Sequence, residues 1–203
     1  MRFVLASQSP ARLALLRAAG LDPVVVVSGV DEDAVAAALV EPAPEELVTA
    51  LAKAKANAVI DDITDLDAVV VACDSMLFIG GEMVGKPATP DIARERWARM
   101  AGGSGVLLTG HAVVRIDGGR RTKEAAGTRS TTVHFGSPSQ AEIDAYIATG
   151  EPLQVAGAFT LDALGGWFVE GVEGDPSSVI GISLPLVRQL LAEVGVSVVE
   201  MWK

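Results

Sequence analysis

Apolar positions along this chain follow two periods, and the clearest signal is a run with no polar interruption. Val69-Val70-Val71-Ala72-Cys73 is small or β-branched throughout and predicts a strand buried on both faces, ending in Asp74-Ser75. Residues 2–6 form a shorter apolar strand. After it, Ser9 is placed to cap a helix with Pro10 at its first position, Leu13, Leu15, Leu16 and Ala19 on its apolar face, and Gly20 at its end. Residues 24–27 predict a second strand that closes on Asp31-Glu32-Asp33. Past a proline linker at 42–44, residues 45–59 show the spacing of a long amphipathic helix. Gly80-Gly81 marks a hairpin between 76–79 and 82–84. A helix follows from Thr89-Pro90-Asp91 to about Ala101, then long strands at 106–116 and 129–135 joined across Asp117-Gly118-Gly119. The chain closes with a helix at 139–148, a strand at 167–172, a helix at 185–194 and a last strand at 196–200. Strands alternate with helices early and antiparallel-looking strands dominate the middle. This predicts an α/β protein with a mixed, elongated sheet, one domain over residues 1–203 in two lobes around a central cleft.

Several of these elements carry chemistry. The end of a strand in an open α/β sheet is a favoured place for a ligand group, which singles out Asp74. Alternation sends Cys73 and Asp74 to opposite faces, so one of them is expected to point away from the core. The opening turn of the first helix offers free N–H groups, the hydroxyls of Ser7 and Ser9 and the guanidinium of Arg12, the parts of an anion site. Asp31-Glu32-Asp33 suits either a hard-cation site or a solvated loop. Lys53 and Lys55 are two residues apart and do not share a helix face, so at most one points into a site. Thr109-Gly110 interrupts a long strand where a backbone can approach a ligand. Gly80 to Lys86 has the spacing of a phosphate loop, but the next residue is Pro87, which offers neither the metal-holding hydroxyl nor a backbone N–H. The phosphate-loop reading fails there.

Composition narrows the classes further. A formal net charge of −10 argues against nucleic-acid polymers and anionic membrane surfaces as partners. No apolar run approaches the ~20 residues of a membrane span, and Ser7, Gln8 and Ser9 interrupt what would be a leader. The single cysteine, Cys73, excludes an intrachain disulfide and suits a reducing compartment, so a cytoplasmic protein is expected. Cys73 could pair with His111 or His134 as a nucleophile, though a buried structural cysteine is the commoner case.

Taken in order, Ser7-x-Ser9-Pro10-x-Arg12-x-x-Leu15-Leu16, Asp31-Glu32, Leu51-Ala52-x-x-Lys55-Ala56, Ala72-x-Asp74, Gly85-Lys86-Pro87, Gly150-Glu151-Pro152, Ala156-Gly157-Ala158 and Gly174-Asp175 resemble the Maf family of nucleoside triphosphate pyrophosphatases, also called septum formation proteins. The resemblance implies a fold similar to inosine triphosphate pyrophosphatases, commonly a homodimer. It also implies hydrolysis of a nucleoside triphosphate to monophosphate and pyrophosphate with a divalent cation, magnesium or manganese. By position, Asp74 matches the catalytic acid residue, Ser7, Ser9, Arg12, Lys55 and Lys86 the triphosphate ligands, and Glu32, with Asp74, the metal side of the site. Ala11, Ser75 and Asp162 fall where the family varies with base preference. Ala11 replaces the first of two arginines, Ser75 a Thr or Gln, Asp162 a Gln or Glu, and Val155 a lysine that often precedes the Ala-Gly-Ala segment.

The chemistry implied is attack of water on the α-phosphorus, helped by a base, a metal bridging phosphate oxygens and cations absorbing charge. Asp74 suits either base or metal ligand. The substrates expected are non-standard or modified nucleotides. A non-catalytic nucleotide-binding regulator of cell division is the alternative, and it has no need of a carboxylate like Asp74. A phosphomonoesterase or kinase-like enzyme is weaker still.

Overall fold

The apolar run around Val70 belongs to a strand nearly twice as long as its composition suggests: β3 spans Asp67–Ile79. Asp74 is therefore mid-strand and not at a strand's end. Beyond it the chain stays extended because Leu77, Phe78 and Ile79 pair antiparallel with Val84, Met83 and Glu82 of β4, Glu82–Val84. The turn between them is Gly80-Gly81, with φ of 60° and 84°, backbone that glycine adopts without strain. The phosphate-loop spacing thus falls on a hairpin whose second strand ends at Val84, and Lys86 follows it.

The computed structural model describes all 203 residues and divides them into two compact units. Unit one comprises Met1–Asp74, Thr109–Arg129 and Gly181–Lys203; unit two comprises Ser75–Leu108 and Ser130–Ile180. The other strands are β1 (Arg2–Leu5), β2 (Val24–Val25), β5 (Ser104–Asp117), β6 (Arg120–Phe135) and β7 (Val169–Glu173), in the sheet order β2-β1-β3-β5-β6-β7 with β4 on β3. β1 is parallel to β2 and β3, whereas β6 and β7 are antiparallel. The sheet is mixed, as the sequence predicts.

In unit one both faces of β3 are covered. Val69, Val71 and Cys73 pack with Leu16 of helix α1 (Pro10–Ala18) and with Val187, Leu190 and Leu191 of the last helix, Leu184–Glu193. Ala68, Val70 and Ala72 pack with Ala52, Ala56 and Val59 of α3 (Pro44–Val59), which follows the short helix α2, Glu32–Ala37. The expectation that either Cys73 or Asp74 leaves the core is wrong: both are buried, because helices cover both sides. Burial, the largest influence, pushes the Cys73 thiol up to about 12, and the thiolate a nucleophile needs is absent at neutral pH. Asp31 is the N-cap of α2, accepting from the Ala34 N–H, so the three acids open a helix.

Thr109-Gly110 is a site of close approach, but what approaches is helix α3 and not a ligand. A Cβ on Gly110 would lie 2.1 Å from the Val48 carbonyl oxygen and 2.6 Å from the Thr49 nitrogen. Two further elements differ from the sequence reading, and one was not predicted. β6 begins at Arg120, directly after the Gly118-Gly119 turn, and residues 176–180 form a short helix, α6. The valines at 196–199, β-branched as in a strand, lead into a 3-10 turn at Val198–Met201. There the chain end is tied to the α1 exit: the Lys203 N–H donates to the Gly20 carbonyl and Trp202 lies over Gly20.

Unit two is centred on Trp97 of α4 (Pro90–Met100). Its ring meets Phe135, Tyr146 and Phe168 edge-on, and its Nε1–H donates to the Ala158 carbonyl at 2.9 Å. Tyr146 belongs to α5, Gln140–Ala148. Near it, Glu151 gathers four donors: the hydroxyls of Tyr146 and Thr160 and the N–H groups of Gly165 and Leu164. Burial acts to raise this carboxyl, but the Thr160, Gly165, Tyr146 and Leu164 bonds together hold it below the usual glutamate value.

Two expected outcomes follow. Gly110→Ala forces backbone apart in the core and should cost at least the ~1–3 kcal/mol typical of overpacking, read from urea unfolding; a wild-type midpoint would show that α3 can shift freely. Glu151→Gln should lower stability at neutral pH. A depressed folded-state pKa contributes stability above the unfolded value of about 4.3 and loses it as pH falls. The deficit of the variant should therefore shrink below about pH 4; a constant deficit would mean the charge is irrelevant.

Candidate active site

Seven of the candidate site residues, Ser7, Ser9, Ala11, Arg12, Glu32, Lys55 and Asp74, lie in unit one. Ser9 is extended and caps α1, its hydroxyl accepting from the Arg12 N–H at 3.4 Å, with Pro10 next. Ser7 precedes it and is buried; its Oγ accepts from the Ser9 N–H and from Arg12 Nη1, each at 3.1 Å. Arg12 also donates through Nε to the Gly181 carbonyl at 2.7 Å. The guanidinium is thus held by Ser7, just ahead of α1, and by the Gly181 carbonyl.

The second half of the cluster is built by parity. Asp74 is on the even-numbered face of β3, with Ala72 and Val70, and that face is covered by α3. On α3, Lys55 is one turn beyond Leu51 and Ala52, at the rim of the buried face, and its Nζ reaches Asp74 Oδ1 at 2.5 Å and Glu32 Oε1 at 2.7 Å. Lys53 is exposed on another face, as the two-residue spacing requires. Glu32 arrives from the first turn of α2 and is largely exposed, whereas Asp74 and Lys55 are close to fully buried.

Burial pushes the Asp74 carboxyl above its ordinary value. Lys55 opposes this through its charge and hydrogen bond and Arg12 through its charge, while Glu32 adds to the rise. Two carboxylates thus converge on one ammonium, and Arg12 lies close enough for its charge to act on Asp74. Both acids offer hard oxygen donors. The arrangement fits a small divalent cation, which takes one or two carboxylates and fills its shell with water and phosphate oxygens. No three His, Cys, Asp or Glu side chains form a metal-holding group, so a closed protein cage is not what this site offers. Ala11 is half-buried on the first turn of α1.

Ser75, Lys86 and Asp162 belong to unit two. Ser75 is half-buried and follows Asp74 on β3; Lys86 and Asp162 are exposed. The peptide before Lys86 is fixed, since the Gly85 carbonyl accepts from the Gly157 N–H at 3.1 Å and from Arg96 Nη1 at 2.5 Å, and Pro87 is buried. Gly157 has φ of 74° and sits against Leu77, so the Ala156-Gly157-Ala158 motif serves as a backbone brace for Gly85-Lys86. Arg96 and Gly181 were not singled out from the sequence. Gly181 follows a helix and carries no local signal, and Arg96 reads as an ordinary polar helix position. His111, one of only two histidines, enters the sequence reading only as a possible partner of Cys73; it is instead bonded to the Thr109 carbonyl and the Ser183 N–H.

Fold and geometry define a mixed α/β protein in which a capped helix start, two cations and two carboxylates are brought together in one unit. The sequence comparisons agree with that class. The chain belongs to the Maf-like protein family, which matches residues 2–194. A protein of Saccharopolyspora erythraea named nucleoside triphosphate pyrophosphatase is 66% identical over 205 residues, covering 100% of this chain and 97% of its own. Proteins of the same name from Rhodococcus jostii and Nocardia farcinica are 64% and 63% identical, each over 98% of this chain and over 95% and 96% of theirs. No helix is long and apolar enough to cross a membrane.

Proposed function

We propose that this chain is a nucleoside triphosphate pyrophosphatase, releasing pyrophosphate and a nucleoside monophosphate. The observation that carries the reading is the Asp74–Lys55–Glu32 group beside Arg12, Ser7 and the start of α1; the relatives' name supports it. In this reading Arg12 grips phosphate oxygens as a planar fork while Lys55 and Lys86 act as point charges. Ser7 Oγ already accepts two hydrogen bonds, so its own O–H is the group it has to give an anion. Asp74 orients the attacking water and takes its proton as the bond to the α-phosphorus forms and the bond to the bridging oxygen breaks. Its upward-shifted carboxyl suits a base working nearer neutrality. Glu32 and Asp74 would hold a magnesium or manganese ion, which when bound supplies charge neutralisation on phosphate oxygens. A homodimer and cytoplasmic residence complete the proposal.

Product analysis tests it. Pyrophosphate plus monophosphate is expected, abolished by chelator and restored by magnesium or manganese. Orthophosphate would indicate a phosphomonoesterase, and tight binding without turnover a non-catalytic regulator of division. Asp74→Asn should lower kcat by about a hundredfold or more, the scale of a positioned base, with folding verified by melting; wild-type turnover would remove Asp74 from the chemistry.

The substrates proposed are non-standard or modified nucleotides, taken by a permissive base site. Ala11 removes bulk from the first turn of α1, and an exposed Asp162 can only accept hydrogen bonds, favouring base edges that donate. A panel of canonical and modified triphosphates compared by kcat/KM should show several accepted, with the ranking changed in Asp162→Gln. A preference for one base above roughly a thousandfold would indicate a buried polar readout instead, and an unchanged ranking would exclude Asp162.

A further inference from the structure

Among the buried polar side chains of unit one not yet given a role is a histidine that touches the same architecture. His111 is fully buried on β5. Its Nδ1 is 2.9 Å from the Thr109 carbonyl oxygen, which can only accept, so Nδ1 carries the hydrogen. Its Nε2 is then an acceptor and takes the Ser183 N–H at 2.8 Å. The imidazole is neutral, in one tautomer, with both nitrogens bonded to backbone.

Ser183 ends a three-residue link between α6 and α7, the helix Leu184–Glu193, which it caps by accepting from the Leu186 N–H. Two residues earlier in that link, the Gly181 carbonyl accepts from Arg12 Nε at 2.7 Å. Gly181 has φ of 128°, and a Cβ there would lie 3.1 Å from Arg12 Nε and 3.4 Å from its Cγ. The link therefore leaves room for the arginine stem and aims a carbonyl at its inner edge. Between Gly181 and Ser183, Ile182 is fully buried, so a shift at Ser183 is passed to Gly181 through a packed residue and two peptide planes.

We propose that His111 is a positioning residue for Arg12, acting through the 181–183 link, so that the guanidinium's outer edge is set for phosphate. This rests on the reading of Arg12 as a phosphate ligand. An apolar side chain would fill the same space, but it would leave the Ser183 N–H buried without its acceptor. The link would move to satisfy it, and with it the carbonyl that orients Arg12.

The test compares His111→Leu, which removes the acceptor, with His111→Gln, whose Oε1 can reach where Nε2 stands and accept from Ser183. The probe is inorganic tripolyphosphate, with affinity measured by calorimetry on folded protein. His111→Leu should weaken binding about tenfold, the worth of one oriented charge-assisted contact, and His111→Gln should restore it to within about threefold. In an Arg12→Ala background His111→Leu should add nothing, because the effect passes through Arg12. A full additional loss there would mean a merely structural role and overturn the proposal, as would wild-type affinity in a folded His111→Leu. Should His111→Leu not fold, His111→Asn, whose amide is too short for Ser183, decides on the same criteria. The Arg12 Nε–H resonance separates this from the functional reading. Protection from exchange should be lost with Leu and kept with Gln whatever Arg12 binds, and an unchanged signal with Leu overturns the positioning role. Wild-type tripolyphosphate affinity in Arg12→Ala alone would instead fell the phosphate reading of Arg12.

Discussion

The contact on which unit one depends is the buried pair between Lys55 and Asp74. A carboxylate in the middle of β3, beneath a helix, is disfavoured by loss of water, and the upward shift of its pKa records that cost. Lys55 offsets it from α3, Arg12 from α1, and each is held by further bonds. Removing one member leaves the others as uncompensated buried charge, which costs more than the intact pair contributes. Glu32, mostly in water, adds little to stability. Its position on Lys55 is better explained by charge placement than by folding.

The pair fixes where α3 must lie, and small residues let it lie there. Ala52 and Ala56 face Val70 and Ala72, and β5 presents Gly110 where any Cβ would strike the α3 backbone. A close helix is what allows a lysine of limited reach to meet a carboxylate on a central strand. Packing and electrostatics are here one constraint. The same small side chains that shorten the helix-to-sheet distance leave the charge pair short of water.

What could be read from the sequence was what is decided within a few residues. The Ser9-Pro10 cap, the two Gly-Gly turns, the split between Lys53 and Lys55 and the mixed α/β class all emerge from local spacing, and all are present. The length of β3 did not, because Asp74 interrupts the apolar run while the strand continues by pairing with β4. The covering of both β3 faces was implied by the unbroken valines, yet an acid beside a cysteine suggested an exit from the core. The terminal valines mislead for a related reason: strand propensity needs a free sheet edge, and the chain end is instead bound to Gly20 and Asp22. His111 to Ser183 and Arg12 to Gly181 join residues 72 and 169 positions apart, and no periodicity encodes such pairs.

The motifs that carry the family resemblance then divide by what their atoms are already doing. Glu151 spends Oε1 on Tyr146, Thr160 and Gly165 and Oε2 on Leu164, so it is committed to holding a loop and has little left for a ligand. Gly157 and Arg96 are likewise committed to the Gly85 carbonyl, and their product is a fixed peptide ahead of an exposed lysine. Asp74, Lys55 and Arg12 differ in kind. Lys55 bonds Asp74 and Glu32, Arg12 bonds Ser7 and Gly181 and its charge acts on Asp74, and the carboxyl among them is displaced from its ordinary value. A motif residue whose hydrogen-bonding capacity is filled by its own chain supports the backbone, whereas one left with charge against a desolvation cost is where a ligand gains most by binding.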